Sequence, residues 1–162
     1  MQGNLLFGNT FNCVKTGLTG ISGAATTYTT SATALSYCIR GKAYTKAQVS
    51  GGATPVVGGI SGLAITLVAN FGRAVLWAIN AAGTVFVFEG PTVALDGSGN
   101  FVDTPQFPVI DLETYCPIAY TLHKAGATTV GTWTFGSSNW NATGMVHVVQ
   151  DLLSMPDRPQ AL

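Results

Sequence analysis

Turn-forming residues interrupt this sequence so often that long helices are excluded. The chain of 162 residues contains 20 glycines and 7 prolines, with asparagine and threonine frequent between them. No segment keeps the 3.6-residue apolar period of an amphipathic helix over three turns. Short apolar or alternating runs bounded by turn residues are typical of β-strands. The sequence therefore predicts an all-β protein.

Two hairpins can be placed from local patterns. In the first, residues 35–39 alternate apolar and smaller side chains, "RGK" supplies a turn, and residues 43–47 return. In the second, the apolar run 75–79 is followed by "NAAG" and a return over 85–88. The other predicted strands are residues 63–68, 119–123, 132–135 and the run from 145, with 119–123 and 132–135 paired as a third hairpin.

The run 75–79 is almost unbroken in its apolar character, which indicates a strand covered on both faces. Turns recur at a spacing of roughly ten residues, which favours an antiparallel sandwich or barrel, jelly-roll-like in type. We expect an N-terminal arm over residues 1–12, a single β-rich domain over 13–154 and an extended C-terminal tail over 155–162.

Ionised side chains are scarce in this composition. Only 9% of the residues are charged, where about 25% is typical, and the formal net charge is zero. The seven basic residues are scattered, so no concentrated basic face is expected to bind nucleic acid. Because near-zero net charge favours association, the composition indicates a protein that packs against copies of itself or against another protein.

Motifs that carry catalysis or bind metals are not found in the sequence. There is no nucleophile elbow, zinc-binding histidine pair, phosphate-binding loop or C-x-x-C pair. The segment from Asp96 to Asn100 is predicted to be a turn and not a calcium loop, because the twelfth position holds Phe107 instead of an acid. We expect no enzymatic activity, no cofactor and no metal.

The cysteines and the first residues indicate where the chain is made. Three widely separated cysteines are expected to be reduced and mostly buried, which suits synthesis in the cytoplasm. The start, "MQGNLLFGNTF", lacks the basic region of a signal peptide. The longest apolar stretch, residues 62–72, falls short of the ~20 residues of a membrane helix. We therefore expect no membrane span.

The uncharged stretch "TWTFGSSNWNATG", residues 132–144, has two interpretations. Trp133 and Phe135 lie two apart, so they share one face of a strand and are expected to fill the core. Trp140 lies in a loop, where it is either a core plug or an interface anchor. In the alternative interpretation, Trp133 or Trp140 is a stacking platform for a sugar. His147 alternates with its neighbouring valines and is expected to be exposed.

Three stretches resemble small virion structural proteins of tailed bacteriophages: "YCIRGKAYTKAQVSGGATP" (residues 37–55), "TWTFGSSNWNATG" and "SMPDRPQAL". The "NAAGTVFVFEGP" hairpin lies between them in the same order. The resemblance implies a capsid decoration, or cement, protein on the capsid exterior, with a β-rich fold, frequent trimers and binding at contacts between subunits of the major capsid protein. It supplies no residue-level binding motif.

These observations predict a structural protein that stabilises a capsid by bridging neighbouring subunits and that forms a homo-oligomer, of which a trimer is one form. The alternative function is a tail- or fibre-associated adhesin that binds a ligand through Trp140. The candidate interface residues lie in the two arms and in the tryptophan loop: Leu5, Leu6, Phe7, Phe11, Trp140, Met155, Pro156 and Arg158.

Overall fold

The computed structural model describes residues 9–19, 21, 26–31, 33–156 and 159. Within these ranges every regular element is a β-strand, so the all-β prediction is confirmed. The strands are β1 (Phe11–Asn12), β2 (Thr27–Tyr28), β3 (Leu35–Ile39), β4 (Lys42–Lys46), β5 (Gly52–Ala53), β6 (Thr66–Val68), β7 (Phe71–Asn80), β8 (Val85–Glu89), β9 (Val93–Ala94), β10 (Tyr115–Ala125), β11 (Thr132–Thr134) and β12 (Met145–Asp151).

The largest sheet has five antiparallel strands in the order β12-β10-β7-β8, with β9 also paired to β7. Its two long central strands, β7 and β10, pair from Tyr115 opposite Asn80 to Ala125 opposite Phe71. The register shifts between Pro117 and Ala119. A proline cannot donate to a ladder, so a central strand tolerates Pro117 next to such an irregularity.

This sheet has a core on each face. On β7, Trp77 and its same-face neighbours pack in the larger cluster, while Leu76 and its neighbours pack in the smaller one. The larger cluster also draws side chains from β3, β6 and β11. The smaller cluster includes Phe107, Ile110 and Met155. The prediction that the run 75–79 is covered on both faces is thus confirmed.

Three smaller sheets complete the described fold: β1-β3-β4, β11-β6 and β2-β5. The first predicted hairpin is confirmed as β3 and β4. Its two turn residues, Arg40 and Gly41, have φ of 52° and 77°, the positive values that a tight type I′ turn requires. The second predicted hairpin is confirmed as β7 and β8, with β7 longer than expected.

The third predicted hairpin is wrong. β10 pairs with β7 and β12, whereas β11 pairs with β6 in a separate sheet. β10 is buried along nearly its whole length, so it needs a strand on each side. The loop after β10 carries the chain to the other layer, where Trp133 of β11 enters the larger core.

The predicted N-terminal arm is too long, because residues 11–12 belong to the folded domain. β1 pairs with β3, and Asn12 is 2% exposed. The Asn12 side-chain amide donates to the Leu152 carbonyl oxygen at 3.2 Å. At the other end, Met155 packs against the smaller core. The predicted interface residues Leu5, Leu6, Phe7 and Arg158 lie outside the described residues. Within the described part of the chain, no helix has the length and apolarity that a membrane span needs.

Candidate docking surface

The tryptophan loop after β11 folds back into the core. Glycine at position 136 has a φ of 72° and begins the reversal. The Thr134 backbone N–H donates to the Ser138 hydroxyl at 2.9 Å, and the Trp133 indole N–H donates to the Asn139 carbonyl at 3.1 Å. The Asn141 N–H donates to the Asn139 side-chain oxygen at 2.8 Å. These local bonds fix the course of the loop, in which the Trp140 side chain points inward.

Trp140 is therefore a core residue. Its ring is 1% exposed and lies 4.5 Å from His123 and 5.0 Å from His147, measured between ring centroids. The assignments of Trp140 as an interface anchor and as a sugar platform are wrong, since no ring face reaches the surface. Trp133 and Phe135 are buried, as predicted for core residues.

His123 lies at the centre of this aromatic cluster. Its ring contacts Trp133, Phe135 and Trp140, and its Nε2 lies 2.8 Å from the Thr121 hydroxyl. Burial, with smaller contributions from His147 and Arg73, lowers the pKa of His123 to about 3. His123 is thus a neutral core residue. His147 is half-buried against Trp140 and not as exposed as its alternation predicted.

The three thiols are free, and two of them are buried. Burial raises the pKa of the Cys116 thiol to about 12, so this group stays protonated and unreactive. Cys38 is also buried, whereas Cys13 is exposed. Among the described residues, no three histidine, cysteine or acidic side chains are grouped so that they could hold a metal ion.

The two ends of the described chain meet at one surface depression, which we call the terminal groove. It has a volume of about 560 Å³. Phe11 and Leu112 in its wall are 38% and 41% exposed. The neighbouring Leu153 is 50% exposed, and its carbonyl accepts the Asn12 N–H at 2.7 Å. The groove is lined by Asn9, Thr10, Phe11, Arg40, Leu112, Glu113, Ser154 and Met155.

Hydrogen bonds hold the groove walls together. The Thr10 hydroxyl donates to the Leu112 carbonyl at 2.7 Å and accepts the Arg40 backbone N–H at 3.3 Å. The Asp111 carboxylate accepts the Glu113 N–H at 2.9 Å and the Thr114 hydroxyl at 2.6 Å. These bonds, the Thr114 hydroxyl first among them, lower the pKa of Asp111. Segments distant in sequence are thereby fixed relative to one another.

An ion pair crosses the groove rim. Arg40 Nη1 lies 3.6 Å from Glu113 Oε2, and the two side chains are 54% and 71% exposed. An exposed pair of this kind contributes only about 0–1 kcal/mol to stability. Beyond it lies a second depression of about 600 Å³, which shares Arg40 and Glu113 and adds Lys42 and Tyr44. The ion pair thus places both signs of charge between two concave surfaces.

Arg40 adopts an unfavourable backbone conformation at this rim. A left-handed φ costs a non-glycine residue about 1–2 kcal/mol, and asparagine is preferred at this turn position. Strained residues persist where the surrounding contacts fix them, which often happens at functional sites. The strain at Arg40 therefore adds to the reasons for regarding the groove as a binding surface.

The structure brings together two of the predicted interface residues, Phe11 and Met155, in the same groove. Pro156 follows Met155 and is half-buried. Sequence reasoning missed the other members: Arg40, Leu112, Glu113 and the adjacent Leu153. The one sequence feature that could have indicated them is the arginine at a turn position where asparagine is usual.

Comparison of the chain with models of protein families, with curated proteins and with solved structures found no match.

Proposed function

We propose that this chain is a bacteriophage virion structural protein that decorates the capsid exterior and stabilises it by bridging subunits of the major capsid protein. The terminal groove is its docking surface. The observation that carries the proposal is that the two ends of the described part of the chain meet at a groove with exposed apolar side chains, in a protein with very few charges.

The groove has the composition of a protein-binding surface. Phe11 and Leu112, with the neighbouring Leu153, supply exposed apolar side chains, and the Arg40–Glu113 pair supplies a polar rim. Protein interfaces combine an apolar centre with such a rim. A groove of this kind suits a protein subunit better than a small charged ligand.

A decoration protein needs a surface that is complementary to the capsid, and it needs no catalytic site. A lattice offers many equivalent sites, so modest contacts suffice where one oligomer engages several of them at once. In sequence, the predicted interface residues Leu5, Leu6 and Phe7 precede Asn9 of the groove wall, and Arg158 follows Met155. Groove contacts repeated over the lattice would bridge subunits.

The test uses particles that lack the protein and purified protein added back to them. Leu112→Asp places a charge in the groove wall, and Val130→Asp places the same charge at a site that is 91% exposed outside the groove. We expect Leu112→Asp to lower particle occupancy at least tenfold, about 1.4 kcal/mol in binding. Val130→Asp should bind like the unchanged chain. Thermal unfolding of both variants verifies that they fold.

Equal occupancy by the two folded variants would exclude the groove as the docking surface. Failure of the unchanged protein to bind the particles would exclude the decoration function itself.

A further inference from the structure

We propose that the outer edge of β12 pairs with β12 of a second copy of this chain. The two strands run antiparallel about a twofold axis at Val149, so that the five-stranded sheets of the two copies become continuous. This inference concerns a surface separate from the terminal groove and holds whether or not the groove docks on a capsid.

β12 lies at the end of the largest sheet and has a strand neighbour on one side only, β10. The Gly126 N–H donates to the Gly144 carbonyl at 2.8 Å, and the Leu152 N–H donates to the Ile118 carbonyl at 2.9 Å. Because peptide groups in an antiparallel strand alternate in direction, the even-numbered residues of β12 face β10. The peptide groups of His147, Val149 and Asp151 therefore point away from the sheet.

These outward peptide groups form an open edge. Within the described ranges, no backbone hydrogen bond from another element reaches His147 or Val149. An unpaired row of N–H and C=O groups is a template for another strand. The open edge of β12 is thus able to accept a strand without rearrangement of its bonds to β10.

Two other long edges of this protein are blocked. A loop covers β8: Gly58 bridges to Val87, and the Gly59 N–H donates to the Val87 carbonyl at 2.8 Å. β4 carries lysines at both ends, Lys42 and Lys46. Coverage and edge lysines are two of the devices by which proteins prevent unwanted strand pairing. β12 contains no lysine, and among the described residues no strand lies along its outer edge; the Leu18 N–H donates to the Asp151 side chain at 3.3 Å at one end only. The edge is therefore open over His147 and Val149.

The sequence of β12 favours pairing. It reads "MVHVVQD", with no proline or lysine and no charge before Asp151. Val146 is 54% exposed and Val149 is 36% exposed. β-Branched residues pack well across strand pairs, and the net charge of zero leaves two copies without mutual repulsion.

The cross-strand side-chain pairs favour a second copy of this chain as the partner and Val149 as the centre of the strand pairing. An axis perpendicular to the sheet at Val149 sets Val149 opposite its counterpart and His147 opposite Asp151. Within one chain, one oxygen of the Asp151 carboxylate accepts the Leu18 N–H at 3.3 Å and the His147 ring lies against Trp140, so the pair would use the second carboxylate oxygen and the imidazole edge. An imidazole opposite a carboxylate is a favourable cross-strand pair. An axis at His147 would instead oppose two histidines and leave Asp151 without a strand partner. The register at Val149 engages all three outward peptide groups.

Amide hydrogen exchange, measured residue by residue, tests this pairing in the purified full chain. In a single chain the His147 and Val149 amides have no backbone acceptor among the described residues, whereas the Val146 and Val148 amides face β10. We expect all four amides to be protected at high protein concentration. On dilution, only His147 and Val149 should lose protection, as the mass falls from twice 16.7 kDa to 16.7 kDa.

Two substitutions at the axis should break the dimer. Val149→Lys sets two like charges opposite each other, and Val149→Pro removes an outward N–H while leaving the bonds to β10 intact. We expect each to raise the dimer dissociation constant at least tenfold, about 1.4 kcal/mol. Val109→Lys, at a site that is 93% exposed, is the control and should remain dimeric. Protection of Val146 and Val148 verifies that each variant folds.

The pairing is excluded if the unchanged chain has a mass of 16.7 kDa at high concentration. It is also excluded by a trimer, by a dimer whose His147 and Val149 amides exchange freely, or by a Val149→Lys variant that dimerises as before. None of these results depends on capsid binding.

Discussion

Acidification should begin to destabilise this protein above the pH at which carboxylates protonate, because His123 is buried in its neutral form. Burial lowers the pKa of His123 to about 3 in the folded chain, while an unfolded chain has a histidine pKa of about 6.5. The unfolded state therefore binds one more proton between these two values. The stabilisation is fully present above pH 6.5 and is lost as the pH falls toward 3.

The size of the effect follows from the width of that window. Each pH unit below 6.5 costs on the order of 1 kcal/mol, so pH 4.5 costs about 3 kcal/mol. Domains have total stabilities of about 5–15 kcal/mol, so this loss is a large share. Asp96 and Asp111 have pKa values lowered by hydrogen bonds, and the stability they contribute is lost mainly below their ordinary pKa, near pH 4.

Urea unfolding at pH 7.0, 5.5 and 4.5 measures the loss. His123→Phe keeps an aromatic ring in the cluster and removes the titrating group, so its free energy of unfolding should fall by about 3 kcal/mol less than that of the unchanged chain between pH 7.0 and 4.5. Equal losses in the two proteins would show that His123 is not the group responsible.

The other predictions concern the core, the thiols and the groove. Trp140→Ala should lower the free energy of unfolding by about 3–5 kcal/mol, because it empties a fully buried site, and a loss below about 1 kcal/mol in urea unfolding would contradict its core position. A thiol reagent should modify Cys13 alone in the native protein, and Cys38 and Cys116 should react only in denaturant. Modification of two thiols in the native protein would contradict the burial of Cys38 and Cys116. Arg40→Asn should raise the free energy of unfolding by about 0.5–1 kcal/mol by relieving the left-handed φ. It should also lower particle occupancy. A less stable variant would contradict the strain at Arg40, and a variant that binds normally would remove Arg40 from the docking surface.

Local patterns predicted the longer strands and much of the core, but not the two-residue strands β1, β2, β5 and β9. The hairpin of β3 and β4 and that of β7 and β8 follow from alternation and turn residues that lie close together in sequence. Trp133 and Phe135 followed from their spacing of two on one strand. In each case the interactions that decide the structure are made within about ten residues.

Strand partners were harder to predict, because alternation indicates a strand and not its neighbour. β10 and β11 are adjacent in sequence and join different sheets, since β10 is covered on both faces and needs two long partners. Trp140 was undecided because its asparagine neighbours are polar; both are indeed exposed, and a local turn with a hydrogen bond from the Asn141 N–H to the Asn139 side chain leaves the ring between them buried.

The terminal groove could not be predicted from the sequence. Its members come from four segments, near residues 10, 40, 112 and 155, which meet only in the folded chain. Each alone looks ordinary: an apolar residue near an end, an arginine in a turn, a leucine beside an acid. Their proximity depends on the pairing of β1 with β3 and on the hydrogen bonds of Thr10.

The most direct test of capsid decoration is the number of copies of this chain in purified virions, determined by quantitative mass spectrometry against the major capsid protein. We expect a fixed whole-number ratio to the sites of the capsid lattice. Absence from the particle, or a copy number that fits only the tail, would contradict the proposed function.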